Sequence, residues 1–245
     1  MKQWLPKIAL LLLLAASSQP AWSWKFSDTE QALPAANAYA AGDYAKAATL
    51  YTLLAGKGNA VAQFNLGMMY AKGQHVPQND KESIQWYLLS AEQGYAAAQF
   101  ELGMLHLQGS ALPQDYTKAQ QWIRMAAEQK YARAQLQIGD MYLQGQGVLR
   151  DNAQAAHWYR IAAEQGNATA QRNLAVAYGM GQGVAENPVL AYMWLNLAAA
   201  HADNTDKQKE YADLIAAAAQ KMSAAQIAEA QTLAKKCADH QLTGC

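Results

Sequence analysis

Trp86, Trp122, Trp158 and Trp194 stand 36 residues apart, three intervals in succession without slippage. Other residue types keep the same step. Gly67, Gly103 and Gly139 are followed by Ala175, and Gly73, Gly109, Gly145 and Gly181 form a full set of four. Gln63, Gln99, Gln135 and Gln171 do the same, as do Ala62, Ala98, Ala134 and Ala170. Helices joined by chance would not hold one register through so many residue types. The chain is a tandem array, in which each unit buries its apolar face only against its neighbours.

One unit predicts two helices. Asn59 to Gly73 carries Ala62, Leu66, Gly67 and Tyr70 at three- and four-residue intervals, which share one helical face. Gly73 ends that helix by supplying a left-handed conformation. Val76 plugs the following loop, and Asn79 or Asp80 caps a second helix that turns Ser83, Trp86, Tyr87 and Ser90 inward and stops at Gly94. Stepping back 36 from Trp86 and Tyr87 lands on Leu50 and Tyr51, which extends the array to an earlier pair. The pattern stops after Ala200. Residues 204–219 and a helix opened by Ser223, with Gln226 completing a capping box, are expected to cover the last apolar edge. The divisions are a leader over 1–23, a first helix pair over 28–58, units over 59–94, 95–130, 131–166 and 167–202, and a capping tail over 203–245. No stretch alternates with strand period, so the expected class is all-α.

The leader combines Lys2 and Lys7, an apolar run from Ile8 to Ala16, and small residues at Ala21 and Ser23. This is the pattern of a secretory signal peptide cleaved after Ser23. The apolar run falls short of the roughly 20 residues that span a bilayer, so no membrane span is expected after cleavage. An exported, periplasmic protein is expected. With 19 basic and 19 acidic residues and no basic stripe, nothing points to nucleic acid or an anionic membrane as partner. The two cysteines, Cys237 and Cys245, could close a small loop in an oxidising compartment if the tail brings their Cα atoms within about 7 Å. Spacing alone leaves that pairing open.

The segments AQFNLGMMYAKG with WYLLSAEQG, AQLQIGDMYLQGQGV with AAHWYRIAAEQG, and AQRNLAVAYGMGQGV with AYMWLNLAAA resemble the Sel1-like repeat, a longer-looped relative of the tetratricopeptide repeat. The resemblance runs over residues 28–200. It implies a bacterial exported member with a right-handed α-α superhelical solenoid of Sel1-like, tetratricopeptide-like helix pairs. It also implies a non-catalytic scaffold that binds a protein or peptide of the envelope in its concave groove. A cysteine-rich subgroup linked to β-lactam binding supplies the alternative, an envelope enzyme or β-lactam-binding protein. That subgroup carries a cysteine pair in each repeat, and this chain has none there. Three positions depart from the pattern: Ala175 for the helix glycine, His106 for a tyrosine and Lys130 for a closing glycine.

The four tryptophans suit packing between units, and the four glutamines suit hydrogen bonds to neighbouring backbone. Glycine strings at 145–147 and 179–183 follow no strand and lack a GK[ST] ending, so they are turns and not phosphate loops. Histidines 75, 106, 157, 201 and 240 are scattered, and no nucleophile elbow occurs. No catalytic, cofactor or metal site is expected. If the first helix of each pair lines the concave side, as in tetratricopeptide repeats, the partner-facing set is Phe64, Met68, Phe100, Met104, Leu107, Arg133, Leu136, Asp140 and Arg172. Such a groove would pass from apolar to mixed charge and suit an amphipathic helix or extended peptide. Phe64 and Phe100 could equally pack against the preceding pair.

Overall fold

A computed structural model describes residues 23–242 and 244–245, with side chains from residue 27. The expected leader lies outside the described residues except for Ser23, where the first helix begins. Twelve α-helices and no strand occur among the described residues. The chain divides into two compact units, residues 1–95 and 96–245. The first contains α1 (Ser23–Ala40), α2 (Tyr44–Gly56), α3 (Ala60–Lys72) and α4 (Asp80–Glu92). The second contains α5 (Ala96–Gln108), α6 (Tyr116–Glu128), α7 (Ala132–Gln144), α8 (Asn152–Ala163), α9 (Ala168–Met180), α10 (Pro188–Ala200), α11 (Thr205–Ala219) and α12 (Ala224–Asp239). Within each unit consecutive helices pack side by side, the arrangement of an all-α solenoid.

Asparagine and aspartate punctuate the array. The side chains of Asn59, Asn79, Asp115, Asp151, Asn167 and Asn187 each accept a backbone N–H in the first turn of the helix they precede. Lys130 takes the closing glycine's place with φ of 65°, the left-handed conformation that Gly94 and Gly166 adopt at the same step.

Paired helices approach closely because a side chain is missing. A Cβ on Gly67 would lie 2.8 Å from Tyr87 Cδ1, and one on Gly139 would lie 2.6 Å from Tyr159 Cδ1. In the fourth repeat the opposing position holds Leu195, and Ala175 fits there with both side chains buried. Of the tryptophans, Trp194 is fully buried, whereas Trp86, Trp122 and Trp158 are half-buried.

The repeated glutamines form a relay. Gln63, Gln99, Gln135 and Gln171 are all buried. Nε2 of Gln63 donates to the carbonyl of Ala55 at 3.3 Å, Gln135 to Ala127 at 3.1 Å and Gln171 to Ala163 at 3.0 Å. Each acceptor lies in the last turn of the preceding second helix, where carbonyls lack helical partners. The Oε1 atoms accept in turn from the residue closing the repeat's own second helix: Gln93 to Gln63 at 2.6 Å, Gln129 to Gln99 at 2.7 Å, and Gln165 to Gln135. One carboxamide thus ties three helices.

At the fourth step the donor's position is held by His201, whose Nδ1 lies 2.8 Å from the Leu197 carbonyl, and Gln171 Oε1 is buried without a donor. A buried acceptor left unpaired costs about 1–3 kcal/mol. His201 and Gln93 close their helices in related backbone conformations, φ −102° and −77° with ψ near 0°. His201→Gln is therefore expected to complete the relay and stabilise the fold by about 1 kcal/mol in denaturant titration.

The last two helices cover the final pair. Ser223 and Gln226 form the expected capping box, and Ala230, Cys237 and Leu242 join the core that holds Trp194 and Leu197. Cys237 and Cys245 are joined in a disulfide, with Cα atoms 5.6 Å apart, and the loop between them seats Leu242 in that core. Opening so short a loop is expected to cost about 2–3 kcal/mol, seen as a lower Tm on reduction or in the Cys237→Ser/Cys245→Ser double variant.

Candidate partner-docking surface

The partner-facing set expected from the register is not uniformly accessible. Phe64 is half-buried, its ring 5.6 Å from Tyr87 and 5.3 Å from Tyr95. Phe100 is a correction: it is only 4% exposed and offers no free face. The Arg133 guanidinium lies 4.7 Å over its ring, Tyr131 packs at 5.5 Å, and Arg133 is held there by Glu101 at 3.6 Å. Met68, Met104, Leu107, Leu136, Asp140 and Arg172 are half-buried, and Arg133 is exposed.

Asp140 and Arg172 come together at one cavity of about 100 Å³ among α7, α8 and α9. Tyr159 on α8 donates its hydroxyl to Asp140 Oδ1 at 2.7 Å. Burial pushes the Asp140 carboxyl above its ordinary range, opposed by the Tyr159 hydrogen bond. Burial, and then the Asp140 charge, push the Tyr159 phenol up as well. Arg172 on α9 forms an ion pair with Glu210 of α11, Nε to Oε1 at 3.4 Å, without the alignment of a hydrogen bond. Asn152, at the start of α8, lines the same cavity with its Oδ1 buried and unpartnered.

Val176 separates this cavity from a larger, mainly apolar groove of about 410 Å³. Its floor is made of small residues, Ala175 and Gly179 of α9, Ala191 of α10, and Ala217 and Ala218 of α11. Met180 and Met222 form walls, Met180 standing 66% exposed, and Glu186 and Lys221 lie on the lining. Gly179 lines this space without a side chain. Its counterparts one and two repeats earlier are Leu143 and Leu107, both half-buried. A Cβ on Gly179 would meet nothing nearer than Ala191 Cβ at 3.7 Å, so close packing does not require glycine there.

The sequence profile described as the Sel1 repeat matches residues 60–95, 96–131, 132–167 and 168–203, more than half of the chain. This chain belongs to the Sel1 repeat family. A Sel1 repeat protein from Oxalobacter formigenes is 35% identical, with a TM-score of 0.65 over 69% of this chain and 68% of that one. A protective antigen of uropathogenic Escherichia coli strains, displaying an SLR fold, is 25% identical with a TM-score of 0.52. That match covers 91% of this chain and 62% of the antigen. No match to a curated protein was found. Sel1 repeats generally mediate protein–protein interaction.

For a Sel1 repeat, Asp140 is the unusual member of its register, which reads Met68, Met104, Asp140, Val176. Register reading placed Asp140 and Arg172 in the partner-facing set of the concave side but missed Tyr159 and Asn152, which line the cavity, and Glu210, which pairs with Arg172. The pairing of position 140 with Tyr159 follows the Gly139–Tyr159 contact one residue away, a cue present only once the hairpin is built. The raised carboxyl also has a consequence for stability. Folded Asp140 takes up its proton at higher pH than the unfolded residue, so stability is gained as pH falls through the folded pKa and lost as it rises through it. Asp140→Asn is expected to raise Tm at pH 7, and that advantage should vanish once pH falls below the unfolded carboxyl range, near about 3.9. Thermal melts of both proteins across that interval check the sign.

Proposed function

We propose that this Sel1 repeat protein is a non-catalytic scaffold of the bacterial cell envelope, exported to the periplasm, which docks an amphipathic segment of a protein partner. The observation that carries the reading is the groove lined by Gly179. Its volume of about 410 Å³ exceeds what one small head group needs and suits a set of apolar side chains. Methionine walls adapt to the shape of such a segment. Glu186 and Lys221, of opposite sign, suit its polar flank. The periplasmic part of the proposal draws on the leader pattern over residues 1–23 and on a disulfide compatible with an oxidising compartment.

The groove can be closed without harming the fold. Gly179→Leu restores the side chain that repeats two and three carry, at a position in the last turn of α9 where a Cβ has room. A photoreactive phenylalanine analogue at Met180, in cells exporting the full chain, is expected to yield a discrete protein adduct in the periplasmic fraction. The same reporter with Gly179→Leu should give little or none, although the variant melts at the same or higher temperature. An adduct of undiminished yield in the folded variant would remove the groove from the proposal.

A further inference from the structure

We infer that the cavity bounded by Asp140, Tyr159, Asn152 and Arg172 receives an arginine side chain of the docked segment. The inference rests on the reading of this face as the docking surface and names the chemistry of one contact on it.

The cavity presents acceptor capacity without matching donors at Asp140 and Asn152, beside one buried donor, Arg172 Nε, whose ion pair with Glu210 is not aligned as a hydrogen bond. Asp140 accepts one hydrogen bond, from Tyr159, and among the described residues no cation lies within ion-pair distance of it. Asn152 Oδ1 is buried without a partner. The one cation on the lining, Arg172, is committed to Glu210 at 3.4 Å and to Asn173 Oδ1 at 3.3 Å. With Arg172 paired to Glu210, Asp140 is the charged group on the lining that has no ion-pair partner among the described residues. A volume of about 100 Å³ is well below that of small-molecule sites and matches a single side-chain head group.

A guanidinium meets these demands together. Its planar fork carries five donors, enough to engage the free Asp140 oxygen and the Asn152 carbonyl at once. An ammonium is a point donor that dehydrates less readily, and a carboxylate would meet Asp140 and Asn152 as like-signed neighbours. The packing alternative, that Asp140 exists to hold Tyr159, is a poor fit. The equivalent position one and two repeats earlier is methionine, Met104 and Met68, and burial makes the ionised Asp140 a cost to the fold. Ionisable groups held at such a cost are concentrated at binding sites.

The test uses the full chain, ¹⁵N-labelled, titrated with N-acetyl-arginine amide and with the citrulline, lysine and glutamate counterparts at millimolar concentrations. Arginine is expected to shift amide signals around Asp140, Asn152 and Tyr159, with citrulline about tenfold weaker for want of charge. Asp140→Met installs the residue of repeats one and two and should abolish arginine binding; Asp140→Asn, which keeps the Tyr159 acceptor, should do so as well. Asn152→Ala should weaken it several-fold. Equal binding of citrulline or lysine, preferential binding of glutamate, or undiminished arginine binding by folded Asp140 variants would each overturn the inference. If arginine fails to bind while Gly179→Leu still abolishes the Met180 adduct, only this inference falls. If both experiments fail, the docking surface falls with it.

Discussion

A buried carboxamide sets the spacing of this array. Gln63, Gln135 and Gln171 donate to a carbonyl at the end of the preceding second helix, and Gln63, Gln99 and Gln135 accept from the glutamine that follows their own second helix. Helix ends leave carbonyls without intrahelical partners, and burying them unpaired is costly. A side chain with one donor end and one acceptor end satisfies both neighbours only at one axial register. A hairpin that slides by a turn loses both bonds, so the relay fixes register where apolar contacts alone would tolerate slippage. The fourth repeat marks the limit of the device. His201 does not supply the donor, and the acceptor on Gln171 is orphaned just where the stack passes to its capping helices.

With register held this way, helix separation is set by missing side chains. Gly67 and Gly139 admit the rings of Tyr87 and Tyr159, and the smaller Leu195 admits Ala175. These positions respond to one another across a hairpin, so a change on one helix is accommodated on its partner. The half-buried tryptophans work at a larger scale: Trp86 packs on the core of the first unit and Trp158 on a core of the second.

The 36-residue step carried the helix pairs, the family resemblance and the positions of Gln63, Gln99, Gln135 and Gln171, because each depends on a residue repeated in register. Their donors, Gln93, Gln129 and Gln165, keep the same step and could have been read with it. What register reading could not supply was depth. Phe64 and Phe100 are equivalent in sequence, yet Phe100 lies beneath the Arg133 guanidinium and beside Tyr131 and is closed to a partner. Position 133 is Val61 and Ala97 in the preceding repeats, so the cover is a local invention. Asn152 and Glu210 were likewise invisible, since neither recurs and each acquires meaning only from what stands opposite it.

Two exceptions to the repeat differ in kind from the rest. Glycine at 67 or 139 has a packing return, since a Cβ there would collide with a tyrosine ring. Gly179 has none: it is a poor helix former in the last turn of α9, and a Cβ there would meet only Ala191 Cβ, at 3.7 Å. Asp140 is similar, a carboxylate desolvated where earlier repeats place methionine. A frame whose helix starts are capped and whose Gln63 and Gln135 amides are hydrogen-bonded at both ends can carry a few such local losses without changing fold. Both losses lie on first helices of the second unit, on either side of Val176, which lines the polar cavity and the apolar groove alike. A single docked segment presenting one basic and several apolar side chains would offset both at once, whereas independent drift at two sites gives no reason for them to adjoin.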